Sequence, residues 1–180
     1  MTVPPGTARG PQDPPSLRRV LRDVPTPVAV VCTADGRRPA GATVGSFVSV
    51  SLDPPLVAWF AMRPSSTLDA VRRSGCFAVN VLTEDQGDLA EAFARLSGDR
   101  FRGVSGRPGR SGNPHLDGAL VVLDCDLEEV RRIGDHDIVL GRVTRAVSRR
   151  PDAEPLVFAG GGFRALAAGT VGRAEAAVPA

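Results

Sequence analysis

The fold of this chain is decided by two adjoining stretches, Gly41-Ala-Thr-Val-Gly-Ser46 and Ser49-Val-Ser-Leu-Asp-Pro-Pro-Leu56. They predict one strand over residues 40–52, because apolar and hydroxyl side chains alternate with the period of two that a strand requires. The apolar face of this predicted strand carries Val44, Val48, Val50 and Leu52, and the opposite face carries Ser49 and Ser51. The double proline at 54–55 ends the strand.

The same strand carries small and hydroxyl residues where bulky side chains would be expected. Small residues allow a planar ligand to approach the backbone, and amide and hydroxyl groups can then hydrogen-bond its polar edge. The pattern is equally typical of an ordinary barrel strand that bears serine and threonine. From these residues alone, both interpretations stay open.

Further strands and short helices are predicted on both sides of this stretch. The other predicted strands cover 28–33, 56–61, 76–82, 119–130, 136–147 and 156–159, with a Gly/Pro/Arg loop at 103–114. Three short helices are predicted: one capped by Ser16, one that starts at Ser66, and one that a Thr83–Gln86 capping box opens and that ends near Leu96. Hairpin connections and short helices predict a mainly β fold, an antiparallel barrel whose closure removes exposed strand edges.

The composition describes one globular domain of ordinary charge. The 180 residues include 22 basic side chains, all arginine, and 20 acidic ones, for a net charge of +2. A nearly neutral chain is not expected to bind nucleic acid, and no apolar run reaches the ~18 residues of a membrane span. We expect a Pro-rich disordered tail over 1–15, the folded domain over 16–168 and a flexible tail over 169–180.

Cysteine and histidine usage limits the chemistry that the chain can supply. Cys32, Cys76 and Cys125 are widely spaced and form no paired motif, which is typical of reduced thiols in a cytoplasmic protein. His115 and His136 are the only histidines, and neither has a partner at metal-ligand spacing, so no metal site is expected. Phosphate-binding loops and hydrolase motifs are also missing from the sequence. We therefore expect any enzymatic chemistry to come from a bound organic cofactor.

Two short motifs are candidates for ligand binding. Arg63-Pro-Ser-Ser-Thr67 combines hydroxyls, one arginine and the start of a predicted helix, which together favour an anion such as a terminal phosphate. In Gly134-Asp-His-Asp137, two carboxylates flank His136 and favour its charged form. The alternatives are an ordinary serine N-cap for the first motif and a solvated turn histidine for the second.

In order and spacing, these segments resemble the flavin reductase family with the antiparallel Greek-key, FMN-binding split-barrel fold, which includes the small reductase components of two-component flavin-dependent monooxygenases. The resemblance covers residues 20–163. Its components are Pro39-Ala-Gly-Ala-Thr-Val-Gly-Ser46, Ser49-Val-Ser-Leu-Asp-Pro-Pro-Leu56, Phe77-Ala-Val-Asn-Val-Leu82 with Gln86 and Phe93, Gly134-Asp-His136 and Pro155-Leu-Val-Phe158. Each motif is weak alone, but five in the correct order are specific.

The resemblance implies a set of site residues. Those implied to bind the flavin are Gly41, Ala42, Thr43, Gly45, Ser46, Ser51, Phe60, Ala61, Met62, Arg63, Ser65, Ser66, Thr67 and Phe93. Those implied to lie on the nicotinamide side are His136, Phe158, Gly160 and Gly161. His136 is the implied catalytic residue, with an electrostatic role in positioning the nicotinamide.

The implied activity is an NAD(P)H-dependent reduction of FMN or FAD by hydride transfer, with NADH or NADPH as donor. A homodimer and a flavin-dependent monooxygenase partner are implied as well. Two departures from the family pattern stand out: Gly45 replaces the Asn or Gln of many relatives, and Ala159-Gly160 replaces their Tyr-Arg or His-Arg. The second departure keeps two alternatives open, namely a flavin carrier without nicotinamide turnover and a split-barrel flavoenzyme with its own organic substrate.

Overall fold

The computed structural model describes residues 14–36, 38–95 and 98–166. Its strands are β1 (Thr26–Pro27), β2 (Ala29–Thr33), β3 (Ala40–Val44), β4 (Val48–Leu52), β5 (Pro55–Met62), β6 (Cys76–Val81), β7 (Gly106–Pro108), β8 (Pro114–Leu116), β9 (Val121–Ile133), β10 (His136–Ser148), β11 (Leu156–Ala159) and β12 (Gly162–Ala165). Its helices are α1 (Pro14–Leu21), α2 (Ser66–Ser74) and α3 (Gly87–Ala94), with a 3₁₀ turn over Glu84–Gln86. The predicted mainly β character with a few short helices is therefore confirmed.

Seven strands form the main sheet, in the order β3-β2-β6-β9-β10-β5-β4, and every neighbouring pair is antiparallel. A smaller sheet has the order β1-β11-β12, and β7 pairs with β8. The outer strands of the main sheet, β3 and β4, are not paired with each other. The barrel is therefore open along one side, whereas the sequence had predicted closure.

The prediction of one continuous strand over residues 40–52 is wrong. The chain leaves β3 after Val44 and re-enters the sheet as β4 at the opposite edge, six positions away in the sheet order. A register shift between Ser49 and Ser51 then breaks the alternation, so that Ser51 lies opposite Leu56 and Leu52 lies opposite Pro55. A bulge of this kind adds one residue to a strand and reverses the faces beyond it. Period-two counting across 40–52 therefore assigns Leu52 to the wrong face.

Two apolar clusters stabilise the molecule, and β2 lies between them. Ala29 and Val31 belong to the cluster inside the main sheet, where Trp59 and Phe77 meet edge to face with ring centroids 6.0 Å apart. Val30 of the same strand belongs to the second cluster, under α3 and the small sheet. All five residues of β2 are buried, which explains its uninterrupted run of apolar and small residues.

Several element boundaries differ from the sequence predictions. Helix α1 begins at Pro14, so Ser16 lies inside the helix and is not its cap. The predicted loop at 103–114 contains β7 and leads into β8, and β12 follows the predicted last strand. The Thr83–Gln86 capping box is confirmed, because the Gln86 side chain accepts the Thr83 amide at 3.2 Å. Residues 1–13 and 167–180 lie outside the described residues, as does Leu96.

Candidate functional site

A cleft of about 710 Å³ opens beside the gap in the barrel. Five parts of the fold meet there: the end of β3, the second half of β5, the start of α2, the end of α3 and the β9–β10 turn. The lining comprises Thr26, residues 42–46, residues 59–62, residues 64–67, Phe93, Ala94, Arg100, Ile133 and His136. Its volume lies within the range of about 300–1,000 Å³ that small-molecule sites occupy.

Most of the residues predicted to bind a flavin lie in this cleft. Those that line it are Ala42, Thr43, Gly45, Ser46, Phe60, Ala61, Met62, Ser65, Ser66, Thr67 and Phe93, together with His136 from the predicted nicotinamide side. Because they come from segments far apart in the sequence, only the fold brings them together.

Two of the predicted hydroxyl ligands are already bonded to the backbone. Thr43 donates its hydroxyl to the Ala90 carbonyl at 2.7 Å, which ties β3 to α3. The Ser46 hydroxyl accepts the Phe60 amide at 2.9 Å, which ties the segment between β3 and β4 to β5. Both side chains therefore position the walls of the cleft in addition to lining it.

Two glycines allow close packing around this wall. A Cβ atom on Gly41 would lie 2.8 Å from Cε1 of Phe93, and one on Gly45 would lie 2.8 Å from Oγ1 of Thr26. Gly41 itself is buried behind the lining and does not face the cleft. The absence of a side chain at Gly41 lets the Phe93 ring lie directly against β3.

The start of α2 forms one end of the cleft. Ser65, not Ser66, is the N-cap: its hydroxyl accepts the Leu68 amide at 3.1 Å. The amides of Ser66 and Thr67 belong to the first turn of the helix and have no intrahelical acceptor. Both residues line the cleft at the positive end of the helix dipole, which favours a phosphate there.

The predicted cation, Arg63, does not line the cleft. Its Nη1 lies 3.4 Å from Oδ1 of Asp137, a buried carboxylate that Arg72 also approaches at 3.9 Å. Arg100 lines the cleft in its place, and the sequence analysis did not single it out. Its guanidinium donates to the carbonyls of Arg95 at 2.7 Å and Gly41 at 2.6 Å.

The β9–β10 turn positions His136 at the rim. Met62, His136 and Ile133 lie opposite one another across three neighbouring strands, so their side chains project from the same face. Nδ1 of His136 lies 2.7 Å from Oδ1 of Asp135, and this hydrogen bond holds the pKa of that carboxyl below its usual value. Asp137 points to the opposite face of the sheet, so only one of the two flanking carboxylates reaches the imidazole, contrary to the sequence prediction.

Besides Gly41 and Arg63, four predicted residues lie outside the cleft. Ser51 lies on β4 outside the cleft. Phe158 packs against Phe163 in the small sheet, with ring centroids 5.6 Å apart, and lies opposite Thr26 of the rim. Gly160 donates its amide to the Arg22 carbonyl at 2.8 Å, and a Cβ atom on Gly161 would meet the Arg22 side chain. The structure therefore does not bring Phe158, Gly160 and Gly161 into the cleft.

Trp59 is a lining residue that sequence reasoning missed. It is 1% exposed, and its indole N–H is the one buried side-chain polar atom without a hydrogen-bond partner among the described residues. The Trp59 ring belongs to the core cluster and packs against Phe77, so this unpaired N–H is buried in the core and not in the open part of the cleft. The signal in the sequence was that this is the only tryptophan of the chain.

The residues of the cleft fit a flavin nucleotide. Small residues on β3, free amides at the start of α2 and an anchored arginine match a planar ring with polar edges and a phosphate tail. No group of three His, Cys, Asp or Glu side chains that could hold a metal ion is found in the described part of the chain. An antiparallel split barrel with such a cleft defines a flavin-nucleotide-binding protein.

Comparison with known proteins identifies the family. A family model described as a flavin reductase like domain matches residues 21–167. The chain is 40% identical over 157 residues to a flavin reductase of Pseudomonas putida, covering 86% of this chain and 92% of that protein.

Solved structures agree with this result. The nitrilotriacetate monooxygenase component B of Mycobacterium thermoresistibile superposes with a TM-score of 0.82 at 33% identity, covering 92% of this chain and 94% of that one. An NADH:FAD oxidoreductase of Streptomyces globisporus, solved with NAD and FAD fragments, gives a TM-score of 0.82 at 39% identity over 87% and 94% of the two chains. The chain belongs to the flavin reductase family, and the predicted split-barrel class is confirmed.

Proposed function

We propose that the cleft binds FMN or FAD and that the chain is an NAD(P)H-dependent flavin reductase. A bound flavin supplies the hydride-accepting ring, so the protein needs no nucleophile of its own. The proposal rests on one observation. In the same cleft, a helix N-terminus suited to phosphate lies at one end and the exposed side chain of His136 lies at the rim. The helix N-terminus holds the phosphate of the nucleotide. The rim leaves one face of the flavin ring open to NADH or NADPH.

The residues of the cleft then have separate tasks. The backbone around Gly45 and the side chains of Phe60 and Met62 surround the ring and exclude water from one face. The amides and hydroxyls of Ser66 and Thr67 hold the phosphate.

On the rim, Asp135 orients the imidazole of His136 through Nδ1, and Nε2 has no protein partner among the described residues. His136 is thereby placed to position the nicotinamide. Stacking of the two rings supplies the proximity and orientation that hydride transfer requires.

Phe158, Gly160 and Gly161, proposed to contact the nicotinamide nucleotide, lie beside the cleft and do not line it. Phe158 lies next to Thr26 of the rim, but it belongs to a packed aromatic pair. We expect the adenylate half of NADH or NADPH to lie across the small sheet, beside the cleft, where it contacts these residues.

We also propose a homodimer and a monooxygenase partner. Val48, Phe60, Met62 and Ile133 expose between 39% and 57% of their surface on neighbouring strands of one sheet region. A second copy that covers this region would shield apolar surface and complete the rim of the cleft. The relative from M. tuberculosis named as the reductase subunit of a flavin-dependent monooxygenase, 36% identical over 156 residues, supports transfer of reduced flavin to such an oxygenase.

A cytoplasmic location is part of the same proposal. Cys32, Cys76 and Cys125 are all free thiols in the fold, which agrees with a reducing compartment. In the described part of the chain, no helix is long and apolar enough to cross a membrane.

The test is a steady-state matrix of NADH and NADPH against riboflavin, FMN and FAD, followed at 340 nm on purified protein. Nicotinamide oxidation that depends on added flavin is the expected result. Flavin binding without any nicotinamide oxidation would support the carrier alternative and would overturn the reductase proposal. A product formed from an organic substrate without a partner oxygenase would favour the other alternative, a flavoenzyme with its own substrate.

Two variants test the assigned roles. Ser66→Ala combined with Thr67→Ala should weaken FMN binding much more than riboflavin binding, since only FMN carries the phosphate. His136→Ala should raise the nicotinamide KM or lower kcat while flavin affinity is unchanged. Equal losses for FMN and riboflavin, or unaltered kinetics without His136, would remove the corresponding residue from the site.

A further inference from the structure

A small recess lies at the far end of β10 from the cleft. Its volume is about 160 Å³. The lining comprises Arg107, residues 115–119, Arg149 and Arg150, and none of these residues lines the cleft. Strand β10 begins at His136 on the rim of the cleft and ends at Ser148, directly before Arg149. The recess and the cleft therefore lie at opposite ends of one strand and are separate sites.

Two arginines and a histidine from three parts of the fold meet in this recess. Arg107 of β7 lies directly opposite His115 of β8, so their side chains project from the same face of the hairpin. Arg149 follows the end of β10, and its Nη2 lies 3.5 Å from Nδ1 of the same histidine. His115 is therefore placed between a guanidinium on each side of the recess.

His115 is fixed in one orientation beneath the two arginines. It is 4% exposed, and its Nε2 lies 2.7 Å from Oδ1 of Asp124, a buried carboxylate that does not line the recess. Gly109 covers the ring, because a Cβ atom there would collide with the imidazole. Since the carboxylate accepts the proton on Nε2, Nδ1 carries the lone pair and is the ring atom on the side of Arg149.

The positive charge of the recess is not balanced within the described part of the chain. Arg150 is paired with Asp85 at 3.0 Å. Neither Arg107 nor Arg149 forms an ion pair with a described carboxylate, and Asp117 is the one acidic residue in the lining. Two guanidinium groups in a partly enclosed recess repel each other, and an oxyanion between them replaces that repulsion with charge-assisted hydrogen bonds.

We infer that this recess binds inorganic phosphate between Arg107 and Arg149. Both guanidinium groups donate to phosphate oxygens, and Nδ1 of His115 accepts the hydroxyl proton of monohydrogen phosphate. The volume corresponds to about five water molecules at ~30 Å³ each. This accommodates one tetrahedral ion and is well below the about 300 Å³ at which sites for larger ligands begin. The bound ion links the β7–β8 hairpin to the end of β10.

The experiment is thermal unfolding of the full chain at pH 8 without flavin, with added phosphate and with the ionic strength held constant by chloride. The variants are Arg149→Ala and Arg107→Ala. The matched control is Arg145→Ala, an exposed arginine of β10 that lines neither site and makes no hydrogen bond or ion pair among the described residues.

Phosphate should raise the unfolding midpoint of the wild type and of Arg145→Ala in a saturable manner, by about 3–5 °C at about ten times the Kd. Arg149→Ala and Arg107→Ala should each need about tenfold more phosphate for the same increase, because each loses a charge-assisted hydrogen bond. Sulfate has no hydroxyl to donate to Nδ1 at this pH, so it should stabilise the wild type less than phosphate does.

Three results would overturn the inference. An equal increase in the wild type, Arg149→Ala and Arg107→Ala would be a general salt effect. An increase that is lost in the combined Ser66→Ala and Thr67→Ala variant but kept in Arg149→Ala would place the phosphate at the start of α2. Equal stabilisation by sulfate and phosphate would contradict the role of Nδ1. Because no flavin or nicotinamide is present, none of these results bears on the proposed function.

Discussion

The Ser46 hydroxyl accepts the Phe60 amide at 2.9 Å, and this bond joins the segment that leaves β3 to the strand β5 near the other edge of the open sheet. Since Val48 pairs with Ala58, Ser46 lies opposite Phe60 in the same register, and the bond extends the β4–β5 contact toward the segment that leaves β3. The bond lies in the wall of the cleft, because both residues line it. Ser46 therefore affects the ligand site in part by holding β5 in position in the wall of the cleft.

Ser46→Ala is expected to destabilise the protein before any ligand is added. Loss of the hydroxyl leaves the Phe60 amide without its partner, at a cost of about 1 kcal/mol in the free energy of unfolding. Urea denaturation of the flavin-free protein measures this change. The control is Ser49→Ala, an exposed serine on β4 whose hydroxyl makes no hydrogen bond among the described residues. Equal stabilities for the two variants would show that the Ser46 bond contributes nothing.

Trp59 is expected to report occupancy of the cleft. It is the only tryptophan in a chain without tyrosine, and it lines the cleft. Flavin binding should therefore quench the tryptophan emission in a saturable manner, after correction for light absorbed by the flavin. Trp59→Phe should abolish the signal. Saturable flavin binding by calorimetry with unchanged Trp59 emission would place the ligand away from this cleft.

Gly41→Ala is expected to disturb both packing and ligand binding. The new Cβ would lie 2.8 Å from the Phe93 ring and 3.1 Å from the Val31 carbonyl. Overpacking of this kind costs about 1–3 kcal/mol, and displacement of Phe93 should weaken flavin binding as well. Denaturant unfolding and flavin titration measure the two effects.

The matched control for Gly41 is Gly87→Ala. Gly87 opens α3 with φ −57°, and a Cβ atom there would meet nothing within 4 Å. This substitution should be neutral or should stabilise the protein by up to about 1 kcal/mol. A Gly41→Ala variant as stable as Gly87→Ala would contradict the close packing of Phe93 against β3.

The three thiols are expected to react at very different rates. Burial, assisted by the neighbouring carboxylates of Asp124 and Asp126, raises the pKa of Cys125 to about 12, and burial also raises the pKa of Cys32. At pH 8 both groups therefore stay protonated, and the thiolate is the reactive form. Cys76 is partly exposed, and its Sγ accepts from the Asn113 amide at 3.3 Å.

A colorimetric thiol reagent at pH 8 should therefore label one site in the native protein and three after unfolding. Cys76→Ser should remove the native reaction. Rapid labelling of two or three thiols in the folded protein would show that β2 or β9 opens far more readily than its burial indicates.

Much of the fold was predictable from local pattern. The capping box at Thr83–Gln86, the buried strand β6 and the long β9–β10 hairpin follow from periodicity and turn residues, which depend on neighbours in the sequence. The split of residues 40–52 into β3 and β4 was not predictable in this way. The split depends on a hydrogen bond between Ser46 and Phe60, which are fourteen positions apart. It also depends on a bulge whose position is set by the partner strand.

The same distinction between local pattern and tertiary contact applies to the candidate site. Small residues on β3, the Ser65-Ser66-Thr67 cluster and His136 are recognisable by residue type and order, and all lie in one cleft. Arg63 and Arg100 are alike in sequence, because both are arginines near turn residues. Their roles differ because Asp137, a buried residue of β10, pairs with Arg63, while the Gly41 carbonyl holds Arg100 at the cleft.

The sequence by itself determined the family, the antiparallel strands and the kinds of side chain that meet a flavin, since these depend on composition, spacing and order. Only the tertiary structure decided which hydroxyls are already bonded, which arginine faces the ligand and which of the two carboxylates beside His136 reaches its ring. The physical reason is that a hydrogen bond or ion pair requires two groups within about 3–4 Å. In a sheet whose two edge strands are adjacent in sequence but six positions apart in the sheet order, only the complete fold decides which groups come that close.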